Sequence, residues 1–274
     1  MTELNASLDA GSFLNDPALF IDRAVKQYVR GSPSNSLKEL DGGPIFDEPL
    51  VGFADGDDTI FAEYKKIVGP HHLTPREALA LYCPDKGSGG ESRITVISFI
   101  MPISRQTRLK QRQETVIPSL SWNRTRWQGQ DFIYELSRHL ATLLEGLGHQ
   151  AVAPEVAGFH KVDVRAFTSN WSQRHMAYAA GLGTFGLTDG FLTPKGLAMR
   201  CGSVVTDAVI TPTPRKYKDH YAACLFYQGK ECGRCIQRCP AAAISEKGHD
   251  KQKSLDYLVV GQKELIKERG QEAN

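Results

Sequence analysis

Residues 169–207 read "SNWSQRHMAYAAGLGTFGLTDGFLTPKGLAMRCGSVVTD", and the order of element types within them decides the architecture. A helix is predicted from Ser172 to Ala180, then the glycine-rich loop "AGLGTFG" (Ala180 to Gly186), then a strand at "GSVVTDAVI". A dinucleotide fingerprint places its glycines after a strand and at the start of a helix, so that the helix N-terminus faces the phosphates. Here the glycines follow a helix, which sets the dinucleotide reading aside. Gly181, Gly183 and Gly186 still signal close backbone approach, either to another segment or to a flat ligand.

Upstream of this stretch, "RITVISFIMPI" (Arg93 to Ile103) is rich in β-branched and aromatic residues and predicts a buried central strand. From Asp131 to Leu147 the apolar residues Phe132, Ile133, Leu136, Leu140, Leu143, Leu144 and Leu147 recur every three or four positions before Gly148, which predicts an amphipathic helix with a glycine stop. "QAVAPE" predicts a short strand and "DPALFIDRAVKQYV" a helix. Thr74-Pro75-Arg76-Glu77 has the N-cap, first-turn proline and reciprocal glutamate of a capping box. Pro212 and Pro214 mark the expected domain boundary. The expected architecture is an α+β core over residues 1–212 and a small module over residues 213–274.

With 274 residues and 41% hydrophobic content, the chain can bury one large core plus such a module. The net charge of +2 makes no case for a DNA partner. From Arg215 onward twelve Lys/Arg stand against eight Asp/Glu, a net of +4 suited to an acidic redox partner or to plain solvation. No apolar run approaches the ~20 residues of a membrane span, and the amino terminus lacks the pattern of a secretory signal. Four of the six cysteines lie between Cys224 and Cys239, unlike a secreted disulfide framework, so a reducing cytoplasm is expected.

The sharpest motif is "ECGRCIQRCPAAAIS" (Glu231 to Ser245), which sets Cys232, Cys235 and Cys239 at the C-x2-C-x3-C-P spacing of a bacterial ferredoxin. Soft thiolates suit iron-sulfur ligation, and tight C-x2-C turns bring sulfurs and backbone amides onto one inorganic cube. Zinc, with His220 or His249 nearby, is the competing reading; its sites normally use two separated knuckles. Gly229 occupies the position of the missing first cysteine, and Cys224 can loop back across that turn as the fourth ligand. Spacing leaves open whether Cys239 completes this cluster. Cys83 and Cys201 read as buried structural thiols.

Among other polar residues, Arg174 and Tyr178 share a face of the expected helix and are candidate catalytic groups, with His175 an exposed neighbour. His71-His72 reads as a loop turn. Trp122, Arg124, Arg126 and Trp127 interleave aromatic and basic residues, either a planar-ligand or RNA-base platform or a surface loop anchored by two tryptophans.

The segment Ser169 to Asp207, followed by the cysteine module, resembles the epoxyqueuosine reductase family and its relatives, the reductive dehalogenases. The resemblance rests on Ala180 to Gly186, Leu192-Thr193-Pro194, Thr206-Asp207 and the ferredoxin-type cysteines. It implies a nitroreductase-like core with a C-terminal ferredoxin-type module, two 4Fe-4S clusters, and a base-off cobalamin. The corrin would lie against Gly181, Gly183 and Gly186, with Asn170, Ser172 and Arg200 as polar contacts. A reduced ferredoxin or flavodoxin-type donor and a small-molecule or modified-nucleoside substrate are further implications. The chain departs from the family in three ways. Ser254 stands where relatives carry a cysteine of the second cluster, Cys224 replaces the regular first ligand, and Phe167 occupies the place of an acidic proton donor, with Asp163 out of register. The expected function is therefore a single-cluster oxidoreductase passing electrons to a cofactor or substrate in the core. The alternatives are a non-catalytic 4Fe-4S electron carrier or redox sensor, and a zinc-stabilised RNA-binding module.

Overall fold

A computed structural model describes residues 10–38, 40, 42–83, 93–261 and 263 of the chain. Its helices are α1 (Ala10–Asn15), α2 (Pro17–Gly31), α3 (Ile60–Ile67), α4 (Pro75–Tyr82), α5 (Arg105–Gln113), α6 (Leu120–Gly146), α7 (Gln173–Ala179), α8 (Arg234–Arg238) and α9 (Lys251–Asp256). The strands are β1 (Leu50–Asp55), β2 (Thr95–Pro102), β3 (Ala151–Val152), β4 (Val162–Asp163), β5 (Thr168–Ser169), β6 (Thr184–Phe185), β7 (Phe191–Leu192), β8 (Met199–Thr206), β9 (Ile244–Ser245) and β10 (Gly248–His249).

The main sheet has the order β1-β2-β8-β3, with all its pairs antiparallel. Every residue of β2 is buried. Because side chains alternate across a strand, β2 feeds two cores. Ile97, Phe99 and Met101 enter one core with Phe20, Ile21 and Val25 of α2 and Phe132, Ile133, Leu136 and Leu140 of α6. Val96 and Ile100 enter the other, with Phe61 and Tyr64 of α3, Ala78 and Leu79 of α4, and Met176 and Ala177 of α7. Helices thus cover both faces of an antiparallel sheet, the mixed helix and sheet class the sequence predicts. Two glycines let the layers close: a Cβ on Gly202 would overlap the Phe99 ring, and one on Gly52 would lie 2.6 Å from the Ala180 carbonyl at the end of α7.

Local signals set the helix starts. Asp16 accepts the Leu19 N–H at 2.9 Å, and Thr74 and Glu77 form the expected reciprocal box at 3.3 and 2.8 Å. The expected helix over Asp131 to Leu147 instead begins at Leu120, after the Ser119 cap, so "SWNRTRWQG" is helical and the surface-loop reading of its tryptophans is overturned. The cause is the kind of residue buried there. Ser121, Thr125 and Gly129 carry the inward face, and a Cβ on Gly129 would stand 2.9 Å from the Phe46 ring. The fully buried positions there are small or polar, with only Trp122 packing partly against the core, so the apolar periodicity does not show.

At the proline-marked boundary the chain lies along the edge strand β1. The Thr213 N–H donates to the Phe53 carbonyl at 2.9 Å, the Phe53 N–H donates to Thr213 Oγ1 at 3.0 Å, and Arg215 pairs with Asp58 at 2.7 Å. Farther on, Arg238 donates to the carbonyls of Gln111, Arg112 and Glu114 at the end of α5, where a cation meets the negative pole of the helix. Among the described residues no helix is long and apolar enough to cross a membrane.

Beneath α3 and α7 lies an imidazole-aromatic stack. His72 is fully buried, stacks on Trp171 at 6.0 Å, and through Nε2 accepts the Ser172 N–H at 3.1 Å. His175, expected as an exposed residue, instead packs between Tyr64 and Phe185, each 4.9 Å away between ring centroids. Burial pushes His72 down from 6.5 to about 4. Burial, helped by the charge of Arg174, takes His175 to about 3. The unfolded chain therefore binds protons that the folded chain refuses in this window, and the histidine contribution to stability is complete above pH 6.5 and lost as pH falls toward 4. Each such group costs up to about 1.4 kcal/mol per pH unit between its two values. Denaturant midpoints should drop steeply between pH 6.5 and 4.5. A His72→Gln variant, whose amide oxygen can still accept the Ser172 N–H, should show a shallower drop.

Candidate functional site

The glycine-rich loop is a hairpin, and it carries the cysteine segment. β6 and β7 pair Thr184 with Leu192 and Phe185 with Phe191. A Cβ on Gly183 would overlap the Leu192 carbonyl, one on Gly186 would lie 3.1 Å from the Leu192 side chain, and one on Gly181 would lie 2.9 Å from the Pro214 carbonyl. Gly181 also has φ +72, a conformation that favours glycine. The outer side of the hairpin holds the segment before the ferredoxin-type motif. The Phe185 N–H donates to the His220 carbonyl at 2.7 Å and the Ala223 N–H to Thr184 Oγ1 at 3.1 Å. The three glycines therefore meet other parts of the same chain, which is the packing reading of "AGLGTFG".

Cys224 is buried against this hairpin, with its Sγ 3.8 Å from where a Cβ of Gly186 would stand. The chain then turns at Gly229, φ +69, and returns through exposed Cys232 to Cys235 in α8. Burial raises the Cys235 thiol, backbone N–H groups of Ile236 and Cys235 counter it, and the charges of Cys232 and Cys224 add to the rise. Cys239 caps α8, and its Sγ accepts the Ala243 N–H at 3.4 Å. Among the described residues no three His, Cys, Asp or Glu side chains converge to hold a metal ion. A cluster is a larger body than one ion, and its thiolates stand correspondingly farther apart. The donor type, cysteine sulfur with the Ala243 N–H bonded to Cys239 Sγ, is that of an iron-sulfur group. Of the histidines named for the zinc alternative, His249 holds Asp189 through Nδ1 at 3.2 Å and His220 lies tilted against Tyr221 at 4.1 Å.

A second constellation lies where β8 leaves the sheet. A cavity of about 450 Å³ is lined by Arg126 of α6, Gln173 and Arg174 of α7, Arg200 and Cys201 of β8, and Glu155 in the 3-10 turn Pro154–Val156. A continuous hydrogen-bond chain orders its wall. Trp171 Nε1 donates to Ser203 Oγ at 3.0 Å, which donates to Gln173 Oε1 at 2.7 Å. Gln173 Nε2 donates to Glu155 Oε2 at 3.0 Å, and Gln130 Nε2 to Glu155 Oε1 at 3.4 Å. Arg200 closes the chain by donating to Gln130 Oε1 and to the Arg126 carbonyl, both at 2.6 Å. Burial raises the Glu155 carboxyl above the usual range, against the pull of Gln173 and Arg200. Burial pushes the Cys201 thiol up to about 12, so it stays protonated at neutral pH.

Of the residues expected at a cofactor or catalytic site, Arg174 and Arg200 meet in this cavity. Tyr178 does not: it lines a separate cavity of about 700 Å³ with Asp58 and Arg215, so the shared face expected for Arg174 and Tyr178 is divided between two sites. Asn170 secures its own neighbourhood, accepting the Lys161 N–H at 2.8 Å and donating to the Phe159 carbonyl at 2.8 Å. Ser172 Oγ is 2.7 Å from His175 Nδ1. The set named for a corrin face, Asn170, Ser172, Gly181, Gly183, Gly186 and Arg200, thus forms no single surface, and no chemical step is derived through cobalamin. Cys201 and Cys83 are only half-buried. Phe167 adopts φ 54 in the turn between β4 and β5, and Asp163 spends its carboxylate on the Arg165 and Ala166 N–H groups at 2.9 and 3.0 Å. Glu155 and Gln130 went unread because a lone glutamate after "QAVAP" and a glutamine inside a helix carry no local sign of what they meet.

Substitution of the glycines tests the hairpin directly. Gly183→Ala should destabilise the fold by about 1–3 kcal/mol or more, because the Leu192 carbonyl must give way. Gly146→Ala, at the end of α6 with nothing within 4 Å of its Cβ, should be neutral or stabilise by about 0.5–1 kcal/mol in the same denaturant titration.

No protein-family model and no curated protein matches the chain. Solved structures do. One, a crystal structure of epoxyqueuosine reductase with a tRNA-Tyr epoxyqueuosine-modified tRNA stem loop, is 14% identical over 91% of this chain and 58% of that chain, with a TM-score of 0.49. A selenomethionine-labelled epoxyqueuosine reductase is 12% identical over 91% and 58%, with a TM-score of 0.48. The enzyme from Streptococcus thermophilus is 16% identical over 80% and 58%, with a TM-score of 0.43. The chain is similar to epoxyqueuosine reductase structures at low identity and spans 58% of the length of each.

Proposed function

We propose that the protein is an iron-sulfur oxidoreductase of the epoxyqueuosine-reductase type, with one 4Fe-4S cluster held by Cys224, Cys232, Cys235 and Cys239 and an electron acceptor bound in the arginine-lined cavity of the core. The observation that carries it is the burial of Cys224 against the glycine hairpin, with the Gly229 turn leading the chain on to Cys232 and Cys235. When bound, such a cluster supplies one-electron transfer. The chain does the rest. The hairpin fixes Cys224 on the core side, the Gly229 turn brings the following cysteines back, and backbone N–H groups of Ile236 and Cys235 stabilise negative charge on sulfur. Exposed Cys232 leaves the opposite side open to a reduced ferredoxin or flavodoxin-type donor. The same exposure favours a second reading, an electron carrier or redox sensor with no chemistry in the core.

Anaerobic purification is the test. The expected product is a brown protein with iron and inorganic sulfide in equal amounts. Cys224→Ser, Cys232→Ser and Cys235→Ser should each lose most of the iron and the broad visible absorbance, while Cys83→Ser and Cys201→Ser retain them. A colourless protein containing zinc and no iron would refute the reading. A brown protein unable to reduce any ligand of the cavity selects the carrier.

A further inference from the structure

We propose that the cavity between α6, α7 and β8 binds a small ligand through an oxyanion group, phosphate or carboxylate, with Arg126, Arg174 and Arg200 as its counter-charges and Glu155 as the group that tunes its affinity. This names the ligand class for the cavity used by the proposed function, but the binding argument stands on the cavity alone.

Charge compensation is the first ground. Three guanidiniums reach the cavity from three different elements. The hydrogen bonds of Arg200 go to neutral oxygens, Gln130 Oε1 and the Arg126 carbonyl, and Arg174 donates to the Asp189 carbonyl. None of the three forms an ion pair with a carboxylate among the described residues, although Arg108, Arg76 and Arg215 each do elsewhere. Arg200 is partly enclosed, and enclosure of a charge without a counter-ion is costly. Burial and the neighbouring Arg126 charge both disfavour its charged form, which an incoming anion would reverse.

The one carboxyl lining the cavity brings at most one negative charge against three guanidiniums, and among the described residues it forms no ion pair with any of them. Both oxygens of Glu155 are already held by side-chain amides of Gln130 and Gln173, and burial raises its carboxyl above the ordinary range. Cys201 supplies no anion either, since its thiol stays protonated. The remaining wall includes Trp122, Ile103 and Met199, an apolar surface for the body of a ligand. At about 450 Å³ the space suits a compact molecule, within the ~300–1,000 Å³ usual for small-molecule sites. Planar guanidiniums pair with carboxylate and phosphate oxygens through two parallel N–H donors, so oxyanions fit better than halide-like ions.

Glu155 then makes binding depend on pH. The charged or titratable groups facing it are Arg200 and Cys201 from β8 and Tyr134 from α6, beside neutral Gln173 of α7 and Gln130 of α6. Tyr134 is raised above its ordinary value of 10.0 and Cys201 to about 12, so both stay neutral until strongly alkaline pH and Glu155 is the group among them that can change charge below it. Its ionisation places a negative charge beside the ligand and weakens anion binding as pH rises.

The experiment is calorimetric titration of the purified full chain with phenyl phosphate, benzoate and neutral benzamide. Either anion or both should bind and benzamide should not; the pair of anions separates a phosphate from a carboxylate source. Arg200→Gln and Arg174→Gln should each weaken binding about tenfold or more, Arg200→Lys should retain part of it, and Lys253→Gln, an exposed control on α9, should leave it unchanged. With benzoate, whose charge does not change across the neutral range, Glu155→Gln should bind more tightly at pH 8 and lose the pH dependence. Iron content and far-UV circular dichroism of the variants show that cluster and fold are intact. Binding of neither anion, or equal binding by the wild type and both arginine-to-glutamine variants, would overturn the proposal. An unchanged pH profile in Glu155→Gln would remove Glu155 from it.

Discussion

Complete burial of β2 is the constraint on which the remaining structure rests. A strand with eight consecutive buried residues cannot be an edge and cannot leave either face to water. It is paired on one side by β1 and on the other by β8, and helices from distant parts of the sequence cover each face. At ~25 cal/mol per Å² of apolar surface removed from water, those two cores are the dominant favourable contribution to folding. The layers approach as closely as they do because Gly52 and Gly202 leave space where a side chain would collide with the Ala180 carbonyl or the Phe99 ring.

From that sheet the two candidate sites follow by position. β8 is buried at its C-terminal half, where it pairs with β2 and β3, but its first residues, Met199 to Cys201, are only partly covered and open onto the arginine-lined cavity. Just before β8, the hairpin of β6 and β7 turns outward to hold Cys224. One short stretch of chain therefore touches both the cysteine segment and the cavity. Arg174 belongs to both: its side chain lines the cavity and donates to the Asp189 carbonyl inside the hairpin turn.

Where sequence reading succeeded, the information was local or periodic. The Thr74 box, the β-branched run of β2 and the turn at Gly229 are each determined by a few neighbouring residues. Where it failed, burial was achieved by residues that do not advertise it. Ser121, Thr125 and Gly129 made the first turns of α6 look like a loop. His175 was placed outside because an imidazole beside an arginine reads as polar surface, yet α7 turns it inward between Tyr64 and Phe185. Glycine spacing announced close approach correctly but could not say to what: the partners are Leu192, Pro214 and Cys224, separated from their glycines by six to 38 residues.

The sequence by itself determined the central strand, the helix caps, the glycine loop and the ferredoxin-type cysteine spacing, because each depends on backbone preferences or on residues close together in the chain. Only the tertiary structure decided which side chains share a space. Arg126, Glu155, Arg174 and Arg200 come together because α6, α7 and β8 cross at one end of the sheet, and Arg174 and Tyr178, four residues apart, end in different cavities. Convergence of that kind is a property of how packed elements are oriented, set by the burial of both faces of β2, and no spacing within a single element encodes it.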